Sequence, residues 1–98
     1  MTRRPRTKAR TLLSGFSSRL GSETLNVRIY RDREALVCER EVVERDGTSF
    51  TMVKPFRDPE EVRVLLAADP HYARVRGEVG RALGALDKAL REHGWRAS

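Results

Sequence analysis

Tyr72, Val75, Val79, Ala82, Leu83, Leu86 and Leu90 fall within one stripe when residues are laid out at 100° each, the strongest periodic signal in the chain. A stripe of that kind has to be buried against another layer, so the chain needs a partner element for it. The spacing predicts a long helix from about Pro70 to His93, closed by Gly94 as its C-cap. Such a helix would be about 36 Å long and would overhang a sheet of seven-residue strands, at roughly 24 Å, leaving its C-terminal part in need of a further partner.

The partner layer is legible upstream. Leu25, Val27 and Ile29 alternate with Asn26, Arg28 and Tyr30, the period of a half-buried strand. With Asp32 and Arg33 as the tip of a turn, Ile29 would lie opposite Leu36 and Val27 opposite Cys38. Asp46-Gly47 then separates two β-rich runs. A three-residue loop, Arg45-Asp46-Gly47 with Gly47 left-handed, sets Val42 against Phe50 and Arg40 against Met52. That register gathers the apolar residues on one face, with Arg40 the sole polar intruder, and puts Glu39 and Glu41 on the other.

Lys54-Pro55 is expected to end the third strand. Asp58-Pro59-Glu60-Glu61 supplies an N-cap acid, a proline at the first helical position and acids in the first turn, so a short helix should start there and stop at Asp69-Pro70. The fold expected is α+β: a three-stranded antiparallel meander covered on one face by a short and then a long helix, one domain over residues 23–98. Residues 1–22 are expected to be a basic and largely disordered arm, with a short helical turn over 11–20 as an alternative for its second half.

Charge separates the two parts. The net charge is +6, yet residues 20–98 hold 14 basic and 14 acidic side chains. The excess comes from Arg3, Arg4, Arg6, Lys8, Arg10 and Arg19, which all precede the first acid, Glu23. A balanced body with a cationic tail suits an anionic surface, because phosphates can be tracked without a preformed groove. The same composition also fits a solubilising tail or an organelle-targeting segment.

Beyond the arm, Arg81 and Lys88 lie on the helix face opposite the apolar stripe, where Gly77, Gly80 and Gly84 would permit close approach of a phosphate chain or a second helix. Arg28 and Tyr30 are the candidates for base stacking on the outer sheet face. The nucleic-acid-binding set read from the sequence is therefore Arg3, Arg4, Arg6, Lys8, Arg10, Arg19, Arg28, Tyr30, Arg81 and Lys88.

No catalytic constellation appears. His71 and His93 are far apart near helix termini, no serine has a nucleophile setting, and no phosphate loop or paired metal-ligand spacing is present. Cys38 is expected to pack inward, and Trp95 to lie as a lid just past the helix end. A single cysteine, no apolar run long enough for a membrane span and no secretory h-region predict a reducing, cytoplasmic setting, no cofactor, no metal and no membrane. Two functions remain: a DNA- or RNA-binding accessory or regulatory protein working through the arm, or a non-catalytic interaction module, adaptor or homodimer, that holds a protein partner through its sheet edge or long helix.

Overall fold

A computed structural model describes residues 10–33, 35–92 and 94. Arg3, Arg4, Arg6, Lys8, His93 and Trp95 lie outside them. The chain forms strands β1 (Arg10–Leu20), β2 (Glu23–Asp32), β3 (Ala35–Val43) and β4 (Ser49–Phe56), then α1 (Pro59–Ala67), a 3-10 turn (Tyr72–Arg74) and α2 (Arg76–Glu92). The strands make one antiparallel sheet in the order β1-β2-β3-β4, and both helices lie on one of its faces.

The sheet therefore has four strands, and the stretch expected to belong to the arm or to a short helix is its first strand. Two features hide it in the sequence. A β-bulge between Leu12 and Ser14 breaks the two-residue period. The inward positions that follow include serines as well as apolar groups, because α2 runs directly over them. Ser14 is buried and its hydroxyl donates to the Ala82 carbonyl of α2 at 2.7 Å. Ser18 reaches Glu78 one turn earlier, at 3.4 Å. Gly15 lies so close to β2 that a Cβ there would sit 2.3 Å from the Val27 carbonyl oxygen.

The β3–β4 hairpin has the expected register, with Val42 opposite Phe50 and Arg40 opposite Met52. Gly47 is left-handed at φ 92°, and the Glu44 N–H donates to the Thr48 carbonyl at 2.7 Å to close the loop. The β2–β3 register differs from expectation by two residues: Ile29 faces Cys38, Arg31 faces Leu36 and Val27 faces Arg40. The turn tip has moved on by one residue, and Arg33 adopts φ 60° there. A shift of two keeps every side chain on its face, so the core survives the correction.

Asp58 caps α1 as predicted, accepting the Glu61 N–H at 3.1 Å, and α1 stops before Asp69-Pro70. That dipeptide does not start the long helix. Its carboxylate is turned away to Arg40 and the His71 amide, a 3-10 turn follows, and α2 begins only at Arg76. At 17 residues α2 is about 26 Å long, shorter than the 11-residue β1 at roughly 36 Å. The overhang expected of the helix is thus reversed, and part of the sheet extends beyond the helices.

The core lies between the two layers. Ile29, Leu36, Val62 and Leu86 are fully buried, with Val27 and Cys38 almost so. Burial raises the Cys38 thiol to about 11, the nearby Arg40 guanidinium only partly opposing it, so the thiol stays protonated at neutral pH. Phe50 and Met52, on the same inner face, remain 63% and 46% exposed because the helices do not reach them.

Candidate functional site

Two polar assemblies and one uncovered strand are the features of the surface that a core does not explain. The first assembly lies on the open sheet face. Rows of directly opposed residues cross the strands there: Ser17, Asn26, Glu41 and Thr51 form one, and Gly15, Arg28, Glu39 and Val53 the next. Arg28 bridges them, with Nη1 donating to Glu39 at 3.0 Å and Nη2 to Glu41 at 3.2 Å. The Asn26 amide also donates to Glu41 at 3.0 Å. Those bonds, the Asn26 amide first and then Arg28, hold the Glu41 carboxyl below its ordinary range.

Further along the same face Leu12, Tyr30, Val37 and Pro55 make an apolar row across all four strands. Arg10, the first described residue, lies over the Tyr30 ring with its guanidinium 5.4 Å from the centroid and pairs with Asp32 at 3.5 Å. The chain thus enters the fold at a corner of this face.

The second assembly explains Arg40, the polar intruder of the inner face. Its guanidinium is ion-paired with Asp69 and approaches His71 Nδ1 at 3.1 Å. The Asp69 carboxylate also accepts the His71 amide at 2.8 Å, and His71 Nε2 faces Glu23 at 3.3 Å. Burial pushes Asp69 upward, but the His71 amide, Arg40 and the His71 ring together outweigh it and hold the carboxyl below its usual value. The network locks the loop after α1 onto the sheet. Its charged members face one another at ion-pair and hydrogen-bond distances, which suits a structural strut better than a reaction centre. No sequence pattern announced it except Arg40 standing alone on an apolar face.

The residues read from the sequence as nucleic-acid contacts divide accordingly. Arg28 is engaged by two glutamates, Arg10 by Asp32 and Tyr30, and Tyr30 lies beneath Arg10. Arg19 is exposed at the far end of β1, Arg81 is exposed on α2 where it borders Ser14, Gly15 and Phe16 of β1, and Lys88 is exposed on α2; none of these three has an ion pair among the described residues. Gly80 and Gly84 have nothing within 4 Å of a built Cβ, and Gly77 has only the Arg81 guanidinium at 3.6 Å. Arg28 and Tyr30 belong to the open sheet face and Arg81 and Lys88 to α2 on the covered face, so the structure does not gather the four into one site.

Among the described residues no group of three or more His, Cys, Asp or Glu side chains could hold a metal ion, and no described helix is long and apolar enough to cross a membrane. No family model matches the sequence, no curated protein matches it, and no solved structure matches its fold.

Proposed function

We propose that this chain is a nucleic-acid-binding accessory or regulatory protein, in which Arg3, Arg4, Arg6 and Lys8 contact phosphates without reading sequence. One observation carries the reading: three arginines of the sheet are paired with carboxylates, while the cations of the first nine residues precede any acid. Arg10, Arg28 and Arg40 all have carboxylate partners. Four of the six excess positive charges therefore belong to the segment that joins the fold at Arg10. Counterion release from a phosphate backbone favours such a segment whatever its conformation. Arg19 adds an exposed cation at the far end of β1. Glu39 and Glu41 make the centre of the open face a poor phosphate surface, so base stacking on Tyr30 is a secondary contribution at most.

The test is binding of the full chain to labelled duplex DNA, single-stranded DNA and RNA as salt is raised. It is compared with a variant carrying glutamine at positions 3, 4, 6 and 8. Each phosphate contact adds about 0.9 to the slope of log affinity against log salt on duplex DNA, so losing four cations should flatten the slope by roughly 3 to 4. Equal binding by both proteins, or none by either at low salt, would refute the reading. Truncation to Ser22 is unsuitable, because it would remove β1 and with it one side of the core.

A further inference from the structure

We infer that two copies of this chain pair along β4, antiparallel about a two-fold axis at Thr51, so that their four-stranded sheets join into one. This does not depend on nucleic-acid binding.

The backbone groups of β4 alternate between those committed to β3 and those that face outward. The Glu44 N–H donates to the Thr48 carbonyl, so residues 44 and 48 form a hydrogen-bonded pair. Narrow and wide pairs alternate along an antiparallel ladder, and the β3–β4 register runs without a shift to Leu36 and Phe56. Phe50, Met52 and Lys54 therefore direct their amides and carbonyls to β3, while Ser49, Thr51, Val53 and Pro55 direct theirs outward. Pro55 gives the same answer independently, because a residue without an N–H is tolerated only where the backbone faces away from its neighbour.

Among the described residues the exposed edge is thus a row of unpaired polar backbone at Ser49, Thr51 and Val53. It is flanked by side chains that water does not favour: Phe50 is 63% exposed, Met52 46% and Val53 50%. No charged residue occurs from Ser49 to Val53. Such an edge is a template for another strand.

A second copy is the occupant that fits it. With the two-fold axis at Thr51, Thr51 exchanges both backbone hydrogen bonds with its own copy, and Ser49 does so with Val53 in both directions. All three outward residues are thereby satisfied. On the helix side, Phe50 then lies opposite Met52 of the second copy, and Met52 opposite Phe50, at wide pairs where side chains come closest. Moving the axis one residue either way sacrifices this match. About Phe50 it leaves Met52 facing Thr48, and about Met52 it sets Phe50 against Lys54 and brings Pro55, without a donor, opposite Ser49.

The ends agree as well. The Thr51 axis brings Lys54 opposite Thr48 of the second copy, whose amide is held by the Asp46 carboxylate at 2.9 Å. It also carries the Arg45–Gly47 turn of one copy towards an open groove of about 540 Å³ beside β4 of the other, lined in part by Glu60, Glu61 and Val64.

The experiment is the solution mass of the full chain by light scattering over a range of concentration, beside a Thr51→Pro variant. Proline at an outward position leaves the β3 ladder intact, as Pro55 already does, but removes the donor at the axis. Wild type should reach twice the 11.2 kDa chain mass, and T51P should stay at the single-chain mass with an unchanged circular dichroism spectrum. Mild oxidation of single-cysteine additions reads the register. T51C should form a disulfide-linked dimer, S49C and V53C alone should not, and a mixture of S49C with V53C should. Wild type, whose buried Cys38 does not reach the surface, is the blank. A wild-type chain that is monomeric at every concentration overturns the inference. So does a dimer that persists in T51P, or cross-linking of V53C with itself in place of T51C.

Discussion

β1 and β4 are the two edges of one sheet, and they have been finished in opposite ways. β1 is overlaid by α2, interrupted by a bulge and lined inward with serines that bond to the helix. β4 carries phenylalanine, methionine and valine into solvent, and the helices cover only its last residue, Phe56. Hydrophobic character alone therefore does not mark the covered edge. The less apolar strand is the one that the helix covers, because small side chains let a helix backbone approach and its carbonyl accept a hydroxyl. The more apolar strand is the one left bare.

Two phenylalanines sharpen that contrast most. Phe16 on β1 and Phe50 on β4 point to the same face of the sheet, one row apart and at opposite edges. Phe16 packs against the core while Phe50 is mostly exposed. Phe16→Ala should cost about 2–4 kcal/mol in urea unfolding, the lower part of the range for buried aromatic deletions because Phe16 is only half-buried. Phe50→Ala should cost under about 0.5 kcal/mol at low protein concentration. Equal losses at the two sites would break the comparison.

Close packing at β1 makes a second prediction. Gly15→Ala places a methyl group against the Val27 carbonyl and should destabilise by about 1–3 kcal/mol, read as a lower denaturant midpoint. An alanine at Gly47, in the β3–β4 turn, would meet no atom and would suffer only from its positive φ.

The strut between the edges should respond to pH. The folded-state Asp69 carboxyl lies below its ordinary value, so its stabilising contribution is present above the unfolded-state value of about 3.9 and is lost as pH falls through the lower folded value. Asp69→Asn should cost about 1–3 kcal/mol at neutral pH, because it leaves Arg40 half-buried without its counter-ion. Thermal melts between pH 7 and pH 2 should then show a shallower acid slope in the variant than in wild type. Identical slopes would remove Asp69 from the acid response.

The smallest effect lies farthest from both edges. Gly80 and Gly84 sit in mid-α2 with open space where a Cβ would go, so alanine at either should raise stability by about 0.5–1 kcal/mol. If nucleic acid approaches this face closely, the same variants will bind it less well while melting higher.

How far the residues announced this structure follows from where local signals and tertiary demands coincide. Asp46-Gly47 and Asp58-Pro59 act through their own neighbours, so the β3–β4 register and the start of α1 were readable. Arg33 is a non-glycine residue in the left-handed region, which no turn rule favours, and the β2–β3 register was misplaced by two. Asp69-Pro70 resembles a helix start, but its carboxylate is committed to Arg40, 29 residues earlier in the chain. β1 was missed because its bulge and serines make sense only once α2 lies over them. Of the candidate contacts, the cations of the first nine residues were evident from charge order alone. The pairing of Arg28 with Glu39 and Glu41 required knowing which residues face one another across strands.

The bulge between Leu12 and Ser14 has a consequence for growth. A regular strand offers a neighbour an unbroken row of donors and acceptors, and β1 does not. A sheet with one interrupted border and one open border can be extended once, after which the surfaces left outermost are both of the interrupted kind. Association therefore closes on itself and does not continue into a ribbon.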